Sequence, residues 1–352
     1  MRSEGVVAAR AEDSAALLTA VSRVEIPEGA VVPSLKTGNI ADRASVIAAV
    51  RQALNEVTGR AASKSAERDV TLIVPDAAVR VLLLDFDQLP SKAPEAMPVV
   101  RFRLKKLLPF DAETAAVSYQ MLPSERGTVR VLTVAMPGDV LAEYESVVTA
   151  AGYLPGAVLP GALAALAGLE ENDAPILAVN AELSAVTTAI VKGGNLLLHR
   201  TLDLSAEAVT ISPLPEELAA APPQPSDELW EESTPGGYDR FDAAAAIQTT
   251  VMERAELREK AITANAHEAA REVTEAVSVA AAYFEDTLGI APDILLSAGT
   301  IAANQLSAVM EANGLEGLQA REMFDASMIE ASAVTARVPW GWMAGVRGAL
   351  KG

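Results

Sequence analysis

Twice in this chain a pair of short β-rich runs is followed by a helix, and that recurrence constrains the fold more than any other feature. In the first instance Gly5–Arg10 and Ala20–Ile26 read as strands, with a turn at Pro27-Glu28-Gly29. The stretch 39–57 then places Ile47, Val50 and Leu54 on one helical face and stops before Gly59. In the second, "ILAVNAEL" precedes "AVTTAIVKGGNLLLHRTL", a hairpin whose Gly193-Gly194-Asn195 supplies the positive-φ turn. A helix over 243–288 comes next, with Val273, Val277, Ala280, Phe284 and Leu288 on one core-facing stripe. Two such halves in 352 residues predict a duplicated α/β core with a cleft between its lobes.

The elements between and after the repeats fit the same class. "DVTLIVP" and "VRVLLLDF" read as strands, as do 115–121 and 129–135. A helix over 137–152 ends at Gly152, and "LPGAVLP" forms a further strand. "PDILLSAGT" is a strand running into a glycine turn, followed by a helix to Asn313, a short strand near 318–323 and a closing helix after Pro339. Trp340 and Trp342 are expected to anchor that last helix. Pro213–Gly237 is proline-rich and acidic, with Trp230 its only large aromatic, and reads as an exposed flexible loop.

Composition excludes several kinds of function. A formal net charge of -19 argues against nucleic acid, whose phosphates such a surface repels. With no cysteine and only His199 and His267, disulfides, thiolate chemistry and multi-histidine zinc sites are ruled out. Apolar runs such as 157–169 are short and broken by Pro160 and Gly161, so no segment reads as spanning a bilayer. The opening "MRSEGVVAARAEDSAALL" lacks the pattern of a signal peptide, which places the chain in the cytoplasm.

Against that acidity, "RFRLKKLLPFDAE" gathers Arg101, Arg103, Lys105 and Lys106 on one helix. Pro98 suits the first turn of that helix, and Pro109 forces Leu108 out of helical geometry. Val100, Leu104, Leu107 and Leu108 are expected on one face, and Arg101 and Lys105 beside each other on another. Asp111 is placed to cap the next turn of chain.

Taken in order, these stretches resemble the PilM family, actin-like cytoplasmic proteins of type IV pilus assembly related to FtsA and to the cytoplasmic part of the secretion protein GspL. The likeness is carried by "VEIPEGAVVPSL", "VRFRLKKLLPFDAETAAVSYQML", "VRVLTVAMPGDVLAEYESVVTAAGYLPGAVLP", "ILAVNAELSAVTTAIVKGGNLLLHRTLDL" and "ILLSAGT". It implies an actin-like fold of two RNase H-like lobes, with a small α/β subdomain inserted in the first. On that frame 1–88 is the first lobe, 89–156 the inserted subdomain, 157–175 the return and crossover, and 176–352 the second lobe. The first lobe's opening strand and its Asp turn have no counterpart, since the chain starts near what is then the second strand.

The resemblance also implies ATP and magnesium between the lobes, held by glycine-bearing turns. Here the second-lobe turn reads Asn180-Ala181-Glu182, with Asn180 in place of the magnesium-facing carboxylate and Glu182 in place of the glycine. A carboxylate about 4 Å from a phosphate charge costs on the order of 4 kcal/mol at an effective dielectric of about 20. Ser297-Ala298-Gly299-Thr300 keeps one glycine of the adenine turn. The expectation is therefore a degenerate nucleotide site on a non-enzymatic scaffold. That scaffold would bind the short cytoplasmic tail of a PilN-like inner-membrane protein through a surface including Arg101, Phe102, Lys105, Leu108 and Phe110. A motor ATPase and further copies of the chain are additional partners on this reading. The alternatives are an actin-like ATP-hydrolysing protein and an FtsA-like polymerising division protein. Elsewhere, Asp85 and Asp87 read as a solvated strand edge, His199 as a packing residue and His267 as a surface residue. The serines lack any nucleophile-elbow context.

Overall fold

A computed structural model describes residues 1–12, 15–58, 69–123, 127–170, 173–204, 267–330, 333 and 338–351. The loop expected at 213–237 and the part of the long helix before 267 lie outside the described residues. Residues 1–204 and 270–352 belong to one compact unit.

The second repeat builds a complete five-stranded sheet. β8 (Ile176–Ala181), β9 (Ala185–Lys192) and β10 (Asn195–Asp203) form an antiparallel meander. Gly194 takes φ 73° in the two-residue β9–β10 turn, a conformation that favours glycine. Helix α5 (267–288) is next, then β11 (Ile294–Gly299), α6 (Ala303–Ala312) and β12 (Gln319–Glu322). β11 runs parallel to both β8 and β12, giving the order β10-β9-β8-β11-β12. The predicted stripe of α5 is buried: Val273, Val277, Ala280 and Phe284 pack with Leu177, Ile190, Leu295, Leu306 and Met310.

The first repeat has a similar succession, and among the described residues no strand joins its hairpin to its parallel pair. β1 (Val6–Ala11) and β2 (Leu18–Val24) form an antiparallel hairpin, and α1 (Arg43–Thr58) packs on both. β3 (Asp69–Val74) pairs in parallel with β7 (Leu154–Pro160), and α3 (Gly138–Ala151) lies against α1 and β7. The fold is thus the expected actin-like one, two α/β lobes of common topology. α4 (Gly161–Ala167) and α7 (Trp340–Gly348) pack together where the lobes meet. Trp342 is buried in that seam with Leu18, Ala165 and Phe324, while Trp340 rests edge-on against Phe324 at 5.7 Å.

The remaining strands form a separate sheet, β4-β6-β5, from β4 (Arg80–Phe86), β5 (Ala116–Leu122) and β6 (Val129–Met136), with α2 (Ala93–Leu104) against it. The sheet packed by α2 takes in β4, which precedes the span of 89–156 expected for a small inserted subdomain.

The boundaries of α2 also differ from expectation. Pro98 lies inside the helix, which begins at Ala93 with Pro94 already in its first turn. The missing N–H of Pro98 removes one backbone bond, and the helix continues past it. Regular helix then ends at Leu104, not at Pro109. Lys106 N–H donates to Arg103 O and Leu107 N–H to Leu104 O, a tightened last turn that lets Leu108 leave helical geometry ahead of Pro109. Ala96, Val100 and Leu104 are buried, while Leu107, expected on that face, is turned out and 49% exposed.

His199 sits on β10 opposite Ala189, is 9% exposed, and neither ring nitrogen has a hydrogen-bond partner among the described residues. Burial pushes its pKa down to about 4. The folded imidazole therefore stays neutral while the unfolded one takes a proton below about 6.5. Stability from this residue is complete above that pH and is lost as pH falls toward 4. In His199→Leu the stability lost between pH 7 and pH 5 should shrink by roughly 2 kcal/mol, read from urea midpoints at the two pH values.

Candidate functional site

At the meeting of the lobes lies a buried polar cluster built on Asp76. β3 ends at Val74, Pro75 turns the chain, and Asp76 opens a short 3-10 turn with only 2% of its surface exposed. Its Oδ2 accepts from Asn180 Nδ2 at 2.7 Å and from Thr187 Oγ1 at 2.8 Å, and its Oδ1 accepts from the Ala162 N–H at 3.0 Å. Thr187 in turn lies 3.0 Å from the Thr201 hydroxyl. A first-lobe carboxylate is thereby bound to β8 and β9 of the second lobe and to the start of α4. Buried carboxylates persist only when supplied with donors in this way.

Glu182 completes the cluster. Asn180 Nδ2 also donates to its Oε1 at 3.0 Å, and Arg2 Nη2 lies 3.4 Å from the same oxygen. Burial raises the Glu182 pKa, with the Arg2 guanidinium opposing that rise and Asp76 adding to it. Arg2 is itself buried and stacks over the Trp342 ring at 5.5 Å.

The second turn is held by close packing. β11 ends at Gly299, whose φ is 106° and where a Cβ would collide with the Ala181 carbonyl. Thr300 N–H donates to that carbonyl at 2.8 Å. Ser297 and Ala298 are fully buried, and the backbone of Gly341 at the start of α7 lies directly against Gly299. The structure brings Asn180, Ala181 and Glu182 together with Ser297, Ala298, Gly299 and Thr300. Asp76, Thr187 and Arg2 join them, and the sequence did not single out these three.

As a cradle for magnesium and a triphosphate, these residues do not fit. Asn180 and Glu182 are directed at Asp76 and Arg2 within the protein. Phosphate oxygens there would meet two carboxylates and one cation that is already paired. Asn180 Oδ1, Arg2 Nη1 and Ser297 Oγ are buried here without a hydrogen-bond partner among the described residues. Also among the described residues, no group of three or more His, Asp or Glu side chains is arranged to hold a metal.

The basic helix presents two different sides. Arg101 is half-buried: Nη1 donates to the Ala112 carbonyl, to Ala115 O at 3.1 Å and to Glu113 O at 3.5 Å. Lys105 Nζ lies 2.6 Å from Glu113 Oε1, which raises the lysine pKa. Both cations thus hold the 111–115 loop, whose first turn Asp111 closes by accepting from Glu113 N–H at 2.9 Å. Leu108 and Phe110 are half-buried against Leu84, Val100 and Leu104. Phe102 is different. It is 66% exposed, Lys106 Nζ sits 5.7 Å from its ring, and Val99 and Leu107 are exposed nearby in the chain. Exposure of Phe102 could not be read from the sequence, because it depends on which helical face meets β4 and β6. Asp85 is paired with Arg130 at 2.9 and 3.2 Å on a strand edge, a structural arrangement.

No family model and no curated protein matches this chain. Among solved structures, a chain of a "PilM-PilN type IV pilus biogenesis complex" superposes with a TM-score of 0.64 at 16% identity, over 100% of this chain and 96% of that one. EutJ, an ethanolamine utilization protein from Carboxydothermus hydrogenoformans, gives 0.43 at 11% identity over 100% and 87% of the chains. The cytoplasmic domain of EpsL, an inner-membrane component of the Vibrio cholerae type II secretion system, gives 0.33 at 12% identity over 54% and 62%. The first of these likenesses bears out the expected fold across the whole chain.

Asp76 is the test of the cluster. Asp76→Ala leaves three donors without an acceptor and should lower unfolding free energy by roughly 3 kcal/mol, at about 1 kcal/mol per bond. Thr187→Val removes one donor and should cost about 1 kcal/mol. Urea denaturation of the two variants beside the parent chain would show that ranking.

Proposed function

We propose that this chain is a non-enzymatic, actin-like scaffold of a type IV pilus or related secretion assembly, working at the inner face of the cytoplasmic membrane. It grips the short cytoplasmic tail of a PilN-like single-span protein and links it to a motor ATPase. The observation that carries this reading is the full-length fold likeness to a chain solved in a PilM-PilN complex. Two features of the site support it. Asp76 and Glu182 take donors from Asn180, Thr187 and Arg2, so a phosphate in the interlobe cluster would face two carboxylates. Among the described residues, no helix is long and apolar enough to cross a membrane, so attachment would run through a partner.

The contact surface on this reading is the α2 region of the inserted unit. Phe102 provides an exposed apolar anchor, Lys106 beside it a cation, and Arg101, Lys105, Leu108 and Phe110 fix the shape of the adjoining loop. Exposed aromatic side chains flanked by charge are efficient anchors for a short peptide, with the cations steering an acidic tail.

The test uses a synthetic peptide with the sequence of the cytoplasmic tail of a PilN-like single-span protein. Phe102→Ala should weaken its binding at least about tenfold with an unchanged melting temperature, and Lys106→Glu should slow its association. Equal affinity for parent and Phe102→Ala would rule out this surface. Saturable calorimetric binding of ATP with magnesium to the parent would rule out the scaffold reading.

A further inference from the structure

One buried titratable side chain belongs neither to the interlobe cluster nor to the α2 surface. His199 lies on β10, and its ring nitrogens lack hydrogen-bond partners among the described residues. Strand register shows what covers it. His199 is opposite Ala189 and Thr201 is opposite Thr187, so these four side chains share one face of the β9–β10 hairpin. On that face Thr187 donates to Asp76, in the turn that leads into β4. Ala189 falls in one apolar cluster with Leu83 of β4 and Leu132 of β6. Leu198 and Leu202 belong to the opposite face, against the α5 stripe. His199 is therefore enclosed between the hairpin and the β4-β6-β5 sheet.

We propose that His199 is an acid-sensitive latch: a proton on its ring releases the β4-β6-β5 sheet from the β9–β10 hairpin while both stay folded. The contact it would open is thin. Leu83, Leu122 and Leu132 meet Ala178, Ala189 and Leu196 there, and the three leucines of the small sheet are only partly buried. Arg80 of β4 is paired with Asp203 of β10 beside them, but that pair is partly exposed and screened by water. Two chain links, at Val79 and Pro137, join the small sheet to the first lobe, so it can swing away without breaking any strand pairing. No charge in the closed contact awaits an imidazolium. Arg80 is itself a cation, Arg130 is held by Asp85, and Asp76 already takes donors from Asn180, Thr187 and Ala162. On the hairpin, Lys192 and Arg200 are exposed cations. Burial alone pushes the His199 pKa down to about 4, so the ring stays neutral while the contact is closed. Once open, the ring returns to its ordinary value near 6.5, and proton binding below that pH favours the open form. The proposal is independent of the partner surface on α2.

The chain has no cysteine, so a single introduced thiol reports on one place. Ala189→Cys puts it in the closed contact, at a position 2% exposed, and Leu83→Cys puts it on the facing sheet. Ala280→Cys, on α5 in the core of the second lobe, is the control. Labelling by 4,4′-dithiodipyridine is followed at pH 7 and pH 5, each rate taken relative to a cysteine peptide at the same pH. Such rates follow the population of the open form when closing is fast. At both contact positions they should rise about twentyfold from pH 7 to pH 5, the ratio set by a ring that titrates near 6.5 when open and near 4 when closed. At Ala280→Cys labelling should stay far slower at both pH values. His199→Leu and His199→Gln, each added to either contact variant, should hold the change below about threefold. Any of three results overturns the proposal. These are labelling at the contact positions that ignores pH, the full rise retained in both His199 variants, and equal rates at contact and control positions, the mark of whole-chain unfolding.

Discussion

The architecture turns on one buried carboxylate. Asp76 sits just past the last residue of β3 and takes donors from three places: the Asn180 amide at a strand end, the Thr187 hydroxyl and the Ala162 N–H near the start of a helix. A buried carboxyl in such a position needs those donors, so the lobes can meet in few ways that supply them. Gly299, Gly341 and the α4–α7 contact then tighten the same seam by close backbone approach. Register between the halves is set by polar bonds and consolidated by small residues.

That seam also decides what the cleft can do. In a nucleotide-holding version of this fold, donors converge on an anion supplied from outside. Here the anions are part of the chain. Asp76 and Glu182 receive the donors, and Arg2 is held between Glu182 and the Trp342 ring. With two carboxylates in the cluster, a phosphate brought there would meet like charge.

Much of this was legible in the sequence because it rests on period and punctuation. The paired hairpins, the α5 stripe and the glycine turns are local patterns, and each falls within a residue or two of its predicted place. What escaped was non-local. Asp76 sits in "VPDAAVR", an ordinary strand exit, and its partners are 86 to 111 residues further along the chain. Similarly, the sequence showed four cations on one helix. Only packing against β4 and β6 separates Arg101 and Lys105, which hold their own loop, from Lys106 beside the exposed Phe102.

The difference between the lobes has the same physical origin. Both use a hairpin, a helix and a parallel strand pair, so local propensity would build them alike. In the second lobe β8 supplies the middle of the sheet, and from its end Asn180 reaches Asp76. The second lobe therefore completes its own core and also provides the group that ties the lobes together. The first lobe instead packs α1 and α3 around its two strand pairs, so its core rests on helix–strand contacts and it meets the second lobe through Asp76 at the end of β3.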